Sequence, residues 1–127
     1  MNWFAFAAVG VGSALGAWLR WGLGVMMNPL FPTVPLGTLA ANLIGGYLVG
    51  AAVAVFHINV DLPPEAKLLV ITGFLGGLTT FSSFSAEVVA LLQRAQYFWA
   101  VGTVSLHLFG SLLMTVLGIL SVQHLSK

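Results

Sequence analysis

No cysteine occurs among the 127 residues, which excludes disulfides and thiolate metal sites. Charge is almost as scarce. Four basic and three acidic residues make up 6% of the chain, where a soluble domain carries about a quarter. With so few cations there is no basic face to follow a phosphate backbone, and no nucleic-acid partner is expected. No nucleophile, base and orienting group fall into a usable spacing, so an enzyme is not expected either. Heptads and internal repeats are missing as well, leaving no sign of a coiled coil or of homologous halves. The first residues have neither a basic leader nor a small-residue cleavage site, so the first apolar run reads as a retained span.

What is present is hydrophobic. Apolar residues make up 59% of the chain, and its mean hydropathy is +1.04. Four apolar stretches, about 3–27, 35–56, 67–92 and 98–122, each exceed the roughly 20 residues a helix needs to cross the hydrocarbon of a bilayer. Between them lie short connections rich in breakers: "NPLFPTVP", "HINVDLPPEA" and "RAQY". The expected fold is a single all-α membrane domain of four transmembrane helices, with no soluble domain beside it.

Basic residues near span ends set orientation in a bilayer. Lys67 and Lys127 fall on one side; Arg94 falls on the other, joined by Arg20 if that side chain snorkels to the nearer surface. Such a balance favours neither orientation, so both are expected. Four helices are also a thin bundle for enclosing a polar route. Two oppositely inserted copies would supply a two-fold axis in the membrane plane, which makes an antiparallel homodimer the expected assembly. Gly12 and Gly16, with Gly46 and Gly50, have the spacing that permits close helix approach.

Polar residues are costly in hydrocarbon, and here they fall on shared faces. Thr38 and Asn42 lie four apart on the second span, while Thr103, His107, Ser111 and Thr115 repeat every four residues down the fourth. Such stripes face a bundle interior or a water-filled route. Interhelical hydrogen bonding, at about 0.6 kcal/mol per contact, is the other use for them.

The third span contains "GFLGGLTTFSSFS" at 73–85. Adjacent glycines lower helix stability by about 1 kcal/mol each relative to alanine, so a break near 75–79, in the middle of the membrane, is expected. Carbonyls released there must face protein, a cavity or an ion, and a hard cation such as Na⁺ suits them. An intact helix with a glycine-rich crossing would use the same residues. Phe81 and Phe84 follow, with Ser82 and Ser83 between them. Aromatic ring edges are weakly positive, so phenylalanines presented edge-on can contact a small anion where charge is absent, helped by nearby hydroxyls and the Asn42 amide. Glu87 continues this face toward one surface and is placed at a vestibule. Arg20 is either an attractor of anions at a vestibule or a snorkelling anchor.

Four strings, "GSALGAWLRW" at 12–21, "GTLAANLIGG" at 37–46, "GFLGGLTTFSSFSAE" at 73–87 and "GSLLMT" at 110–115, resemble the Fluc or CrcB fluoride channels across all four spans. The resemblance implies dual-topology homodimers in a bacterial inner (plasma) membrane. Each dimer would have two antiparallel pores that passively export the fluoride accumulating when hydrogen fluoride enters an acidified cell, and so confer fluoride resistance. It places Phe81 and Phe84 in the phenylalanine box, Asn42 as a pore-lining donor and Ser111 with its neighbours in the polar track. It also assigns the backbone carbonyls of Gly76 and Thr79 to a central, structural Na⁺ at the dimer interface. His107 departs from the smaller polar residue expected at its position. The competing reading is a small dual-topology, proton-coupled exporter that uses Glu87 as its membrane carboxylate.

Overall fold

A computed structural model describes residues 2–127, and among them all regular structure is helical. Helix α1 spans Trp3–Met27 and ends in a 3₁₀ turn, Asn28–Leu30; α2 spans Leu36–Ile58. The third span comprises α3, Pro64–Lys67, a π-helical stretch, Leu68–Leu75, α4, Gly76–Leu78, and α5, Phe81–Gln93. Helix α6 spans Tyr97–Leu125. Four helical rods, Trp3–Leu30, Leu36–Ile58, Pro64–Gln93 and Tyr97–Leu125, are long and apolar enough to cross a bilayer, so the chain is a multi-pass membrane protein.

Local chemistry explains the helix ends. Asn2 caps α1, its Oδ1 accepting from the Ala5 N–H at 2.7 Å. Pro35 offers α2 no side-chain cap. The cap comes instead from the end of the preceding span, where Asn28 Oδ1 accepts from the Gly37 and Thr38 N–H groups at 2.8 and 3.2 Å. At the end of α5, Ala95 has φ 58° and its N–H reaches Leu92 O, while the Gln96 N–H reaches Leu91 O. This pair of bonds is a Schellman closure, with alanine at the position glycine usually fills.

Packing depends on backbone approach, since lipid tails are as apolar as leucine and provide little drive for side chains to leave them. A Cβ on Gly16 would strike Phe74 O, and one on Gly12 would strike Leu69 O. Gly77 answers from the other side against Ser13 O, so α1 and the third span lie backbone to backbone in parallel. Helices α2 and α6 form the second parallel pair: a Cβ on Gly50 would meet Thr115 O, one on Gly46 Ser111 O and one on Gly118 Tyr47 O. Both glycine pairs noted in the sequence are therefore used within one chain, not between copies. Between the two helix pairs sits a small core of Ala41, Leu75 and Leu78. Trp3, Tyr97 and Phe98 face outward near the rod ends, where aromatic rings suit the interface, while Trp18 and Trp21 face outward farther along α1.

Candidate functional site

Within Pro64–Gln93 the helical path is interrupted by two residues. Thr79 has φ −84°, ψ 156° and Thr80 has φ −149°, ψ 117°, both extended. The Thr79 N–H still reaches Leu75 O at 3.0 Å, but the backbone groups that follow leave the i→i+4 series and need partners elsewhere. Asn42 on α2 meets both backbone groups of Thr80: its Oδ1 accepts the Thr80 N–H at 2.8 Å, and its Nδ2 donates to Thr80 O at 3.0 Å. Thr80 Oγ1 then caps α5 by accepting the Ser83 N–H at 3.1 Å, with Ser82 Oγ 3.3 Å away. Before the interruption, Thr79 Oγ1 donates to Leu75 O at 2.8 Å, and Arg20 Nε donates to Gly77 O at 3.0 Å.

Arg20 reaches into the bundle with this bond, to the Gly77 carbonyl just before the interruption, while Lys67, Lys127 and Arg94 lie in or beside the loops.

Beside the interruption lies a cavity of about 440 Å³. Its walls bring together Asn42, Gly76, Thr79, Phe81, Phe84, His107 and Ser111, while Ile71, Leu75, Leu108 and Leu112 supply apolar surface. None of its lining residues is Asp, Glu, Lys or Arg. Phe81 and Phe84 meet edge to face at 5.5 Å, and Phe84 also lies against the His107 ring at 4.6 Å. Phe84 is partly buried, whereas Phe81 is 80% exposed.

The other candidates fall around this cavity. Thr38 Oγ1 donates to Glu87 Oε2 at 2.6 Å, so Glu87 is tied to α2 and does not line the cavity wall. Glu87 Oε1, Thr103 Oγ1 and His107 Nε2 are buried without a hydrogen-bond partner among the described residues. Thr115 Oγ1 is committed to the α2–α6 contact, donating toward Gly46 O and Ser111 O at 2.9 and 3.0 Å. Ser82 and Ser83 sit on the first turn of α5, Ser82 exposed. Thr80 goes unnamed in the sequence reading, yet its backbone N–H and C=O are what engage Asn42. The available signal is a threonine directly after "GGLT", a residue type favoured at a helix N-cap. The bridging cap from Asn28 had no such signal.

No three His, Cys, Asp or Glu side chains gather as a metal-ligand set among the described residues. Oxygen donors for a hard cation would have to come from the backbone. Gly76 and Thr79 both line the cavity, and a Cβ added at Gly76 would meet nothing nearer than Ile71 O at 3.6 Å, so this stretch of backbone is open to approach. Its donor type fits a hard cation; two carbonyls from one copy are too few to satisfy one.

Fold and site together define a small polytopic helical membrane protein with an uncharged, mainly apolar cavity that carries two phenylalanines and a few polar groups. Residues 7–119 match the family described as "CrcB-like protein, Camphor Resistance (CrcB)". The chain is 63% identical over 127 residues to a protein of Nitrosospira multiformis, covering 100% of this chain and 99% of the relative. It is 62% identical over 117 residues to one of Dechloromonas aromatica, covering 92% and 87%, and 58% identical over 119 residues to one of Pseudomonas putida, covering 94% of each. Each of these three relatives carries the name "Fluoride-specific ion channel FluC". The chain belongs to the CrcB family, a family of ion channels and not of enzymes.

Proposed function

We propose that this chain is the subunit of a fluoride-selective channel that lets fluoride leave the cytoplasm passively across a bacterial inner membrane. The observation that carries the reading is the cavity lining: two edge-to-face phenylalanines, a serine hydroxyl and an imidazole, with no charged side chain. An anion route without fixed positive charge must replace hydration by weak, numerous contacts, and a small anion accepts them from ring edges and O–H or N–H donors. The names of the relatives point the same way.

In this reading the channel is two copies inserted in opposite senses, with two pores. The exposed ring of Phe81 and the open side of the cavity are the surfaces a second copy would cover. A Na⁺ held by Gly76 and Thr79 carbonyls of both copies would supply fixed positive charge where the interrupted spans meet. The chain's own residues do the rest. Asn42 and Arg20 hold the interruption open, Thr38 and Glu87 shape the approach from one surface, and Phe81, Phe84 and Ser111 contact the ion.

The deciding experiment uses purified protein in liposomes under a fluoride gradient and then a chloride gradient, followed with ion-selective electrodes. Fluoride efflux without a proton gradient, and negligible chloride efflux, is the expected result. Efflux that needs a proton gradient would replace the channel with a coupled exporter acting through Glu87.

A further inference from the structure

A second cavity, of about 600 Å³, opens between the first turns of α1 and the start of the third span. Its α1 wall is Phe4, Ala7, Ala8 and Val11, spaced i, i+3, i+4 and i+7 and so on one helix face. Glu65, Ala66 and Leu69 form the facing wall. The cleft has a local cause. Farther along, the two spans touch backbone to backbone, a Cβ on Gly12 striking Leu69 O and one on Gly73 meeting Val9 O at 3.0 Å, whereas Ala7, Ala8 and Ala66 are too short to fill the gap nearer the rod ends. From Phe4 to Val11 it follows α1 for about 10 Å at 1.5 Å per residue, a depth that stays within one leaflet of a roughly 30 Å hydrocarbon core. An apolar cleft of this kind does not hold water, and left empty it forfeits the dispersion contacts of its walls. Lipid chains fill it.

What distinguishes this cleft from ordinary lipid-facing surface is its charge. Glu65, in the first turn of α3, is its one charged lining residue, and the other lining side chains are apolar and cannot pair with the carboxylate. The nearest base along the chain, Lys67, is engaged toward α2, its Nζ 6.0 Å from the centre of the Phe56 ring. A carboxylate above an apolar cleft at the end of a span complements a cationic headgroup on an acyl chain. We infer that the cleft binds one phospholipid with a primary ammonium headgroup, a phosphatidylethanolamine, its ammonium on Glu65 and one acyl chain laid along Ala7, Ala8 and Leu69. The ammonium brings three N–H donors to the carboxylate; a choline headgroup has the same charge and no N–H, and an anionic glycerol headgroup is repelled. This cleft lies apart from the cavity read above as the fluoride route, with which it shares no lining residue.

Native mass spectrometry on the full chain tests the inference, after detergent release from vesicles of equal parts phosphatidylethanolamine, phosphatidylcholine and phosphatidylglycerol with matched acyl chains. One phosphatidylethanolamine per subunit should be retained, about three- to fivefold over each of the other two, the range of a partly exposed ion pair. Equal retention of the three, or phosphatidylglycerol ahead, would overturn the inference and leave only general solvation by the bilayer. Glu65→Gln should abolish the preference, and Ala8→Leu, which fills the floor of the cleft and leaves Glu65 in place, should lower retention of all three lipids. A preference that survives Glu65→Gln, or retention that ignores Ala8→Leu, would put the lipid elsewhere and equally overturn it. The three-lipid comparison uses unsubstituted protein and stands even if a variant fails to fold. Absence of fluoride flux would defeat the channel reading and leave the lipid preference untouched, whereas normal flux without that preference defeats this inference alone.

Discussion

At the scale of single residues, hydrogen-bond capacity separates side chains with surface left for a ligand from side chains whose donors are spent within the protein. Thr115 and Asn42 are both polar and inside spans, yet their donors are committed to backbone carbonyls and to an imidazole. Phe81 is the reverse case: its ring makes one edge contact, with Phe84, and is otherwise exposed on the open side of the cavity. Replacing it with isoleucine keeps most of the apolar bulk and removes the ring edge. Phe81→Ile should therefore lower fluoride flux by about two- to tenfold, on the scale of the about 0.5–1.5 kcal/mol an aromatic contact contributes. Its elution as an assembled species should be unchanged by size-exclusion chromatography, and undiminished flux would remove the ring from the pathway.

At the scale of elements, two unusual helix ends make predictions that do not depend on the ion. The cap on α2 is supplied by Asn28 from the end of the preceding span. Asn28→Ala should cost about 1–2 kcal/mol, the upper range for a lost cap because two N–H groups lose their acceptor. The measurement is the midpoint of unfolding in detergent. The turn after α5 changes in the opposite direction: Ala95 occupies the left-handed region at φ 58°, where a Cβ costs about 1–2 kcal/mol. Ala95→Gly should raise the same midpoint, by somewhat less than that cost because glycine also gains freedom in the unfolded chain. A lowered midpoint would show that the alanine methyl packs in a way its backbone angle does not reveal.

At the scale of the whole molecule, the question is how copies insert and meet. Arg20 donates to Gly77 O from within its span, so a count of the loops alone sets Lys67 and Lys127 against Arg94. The orientation rule on its own then leans toward placing the end with Lys67 in the cytoplasm, while the CrcB reading requires both orientations. Single cysteines introduced into the loop at residues 59–63 of this cysteine-free chain would separate the two. Impermeant thiol reagent applied to intact cells should label about half of the copies, with the rest labelled after lysis. Uniform labelling would rule out the antiparallel dimer and its shared pores.

Four spans, their approximate limits and the polar stripes on two of them were legible in the sequence, because crossing a bilayer demands about 20 apolar residues and leaves each polar exception conspicuous. The glycine and threonine run in the third span could likewise be seen as weak helix, since propensity is a local property. Tertiary structure alone decided what each polar group is bonded to: Asn42 to Thr80 and His107, Arg20 to Gly77, Asn28 to the start of α2, and the two glycine pairs to neighbours in the same chain. Those outcomes depend on the register and spacing of helices far apart in sequence, set by which backbones approach closely. In hydrocarbon every backbone group freed by an interruption must find its partner within reach, and the nearest donor or acceptor is known only once the spans are packed.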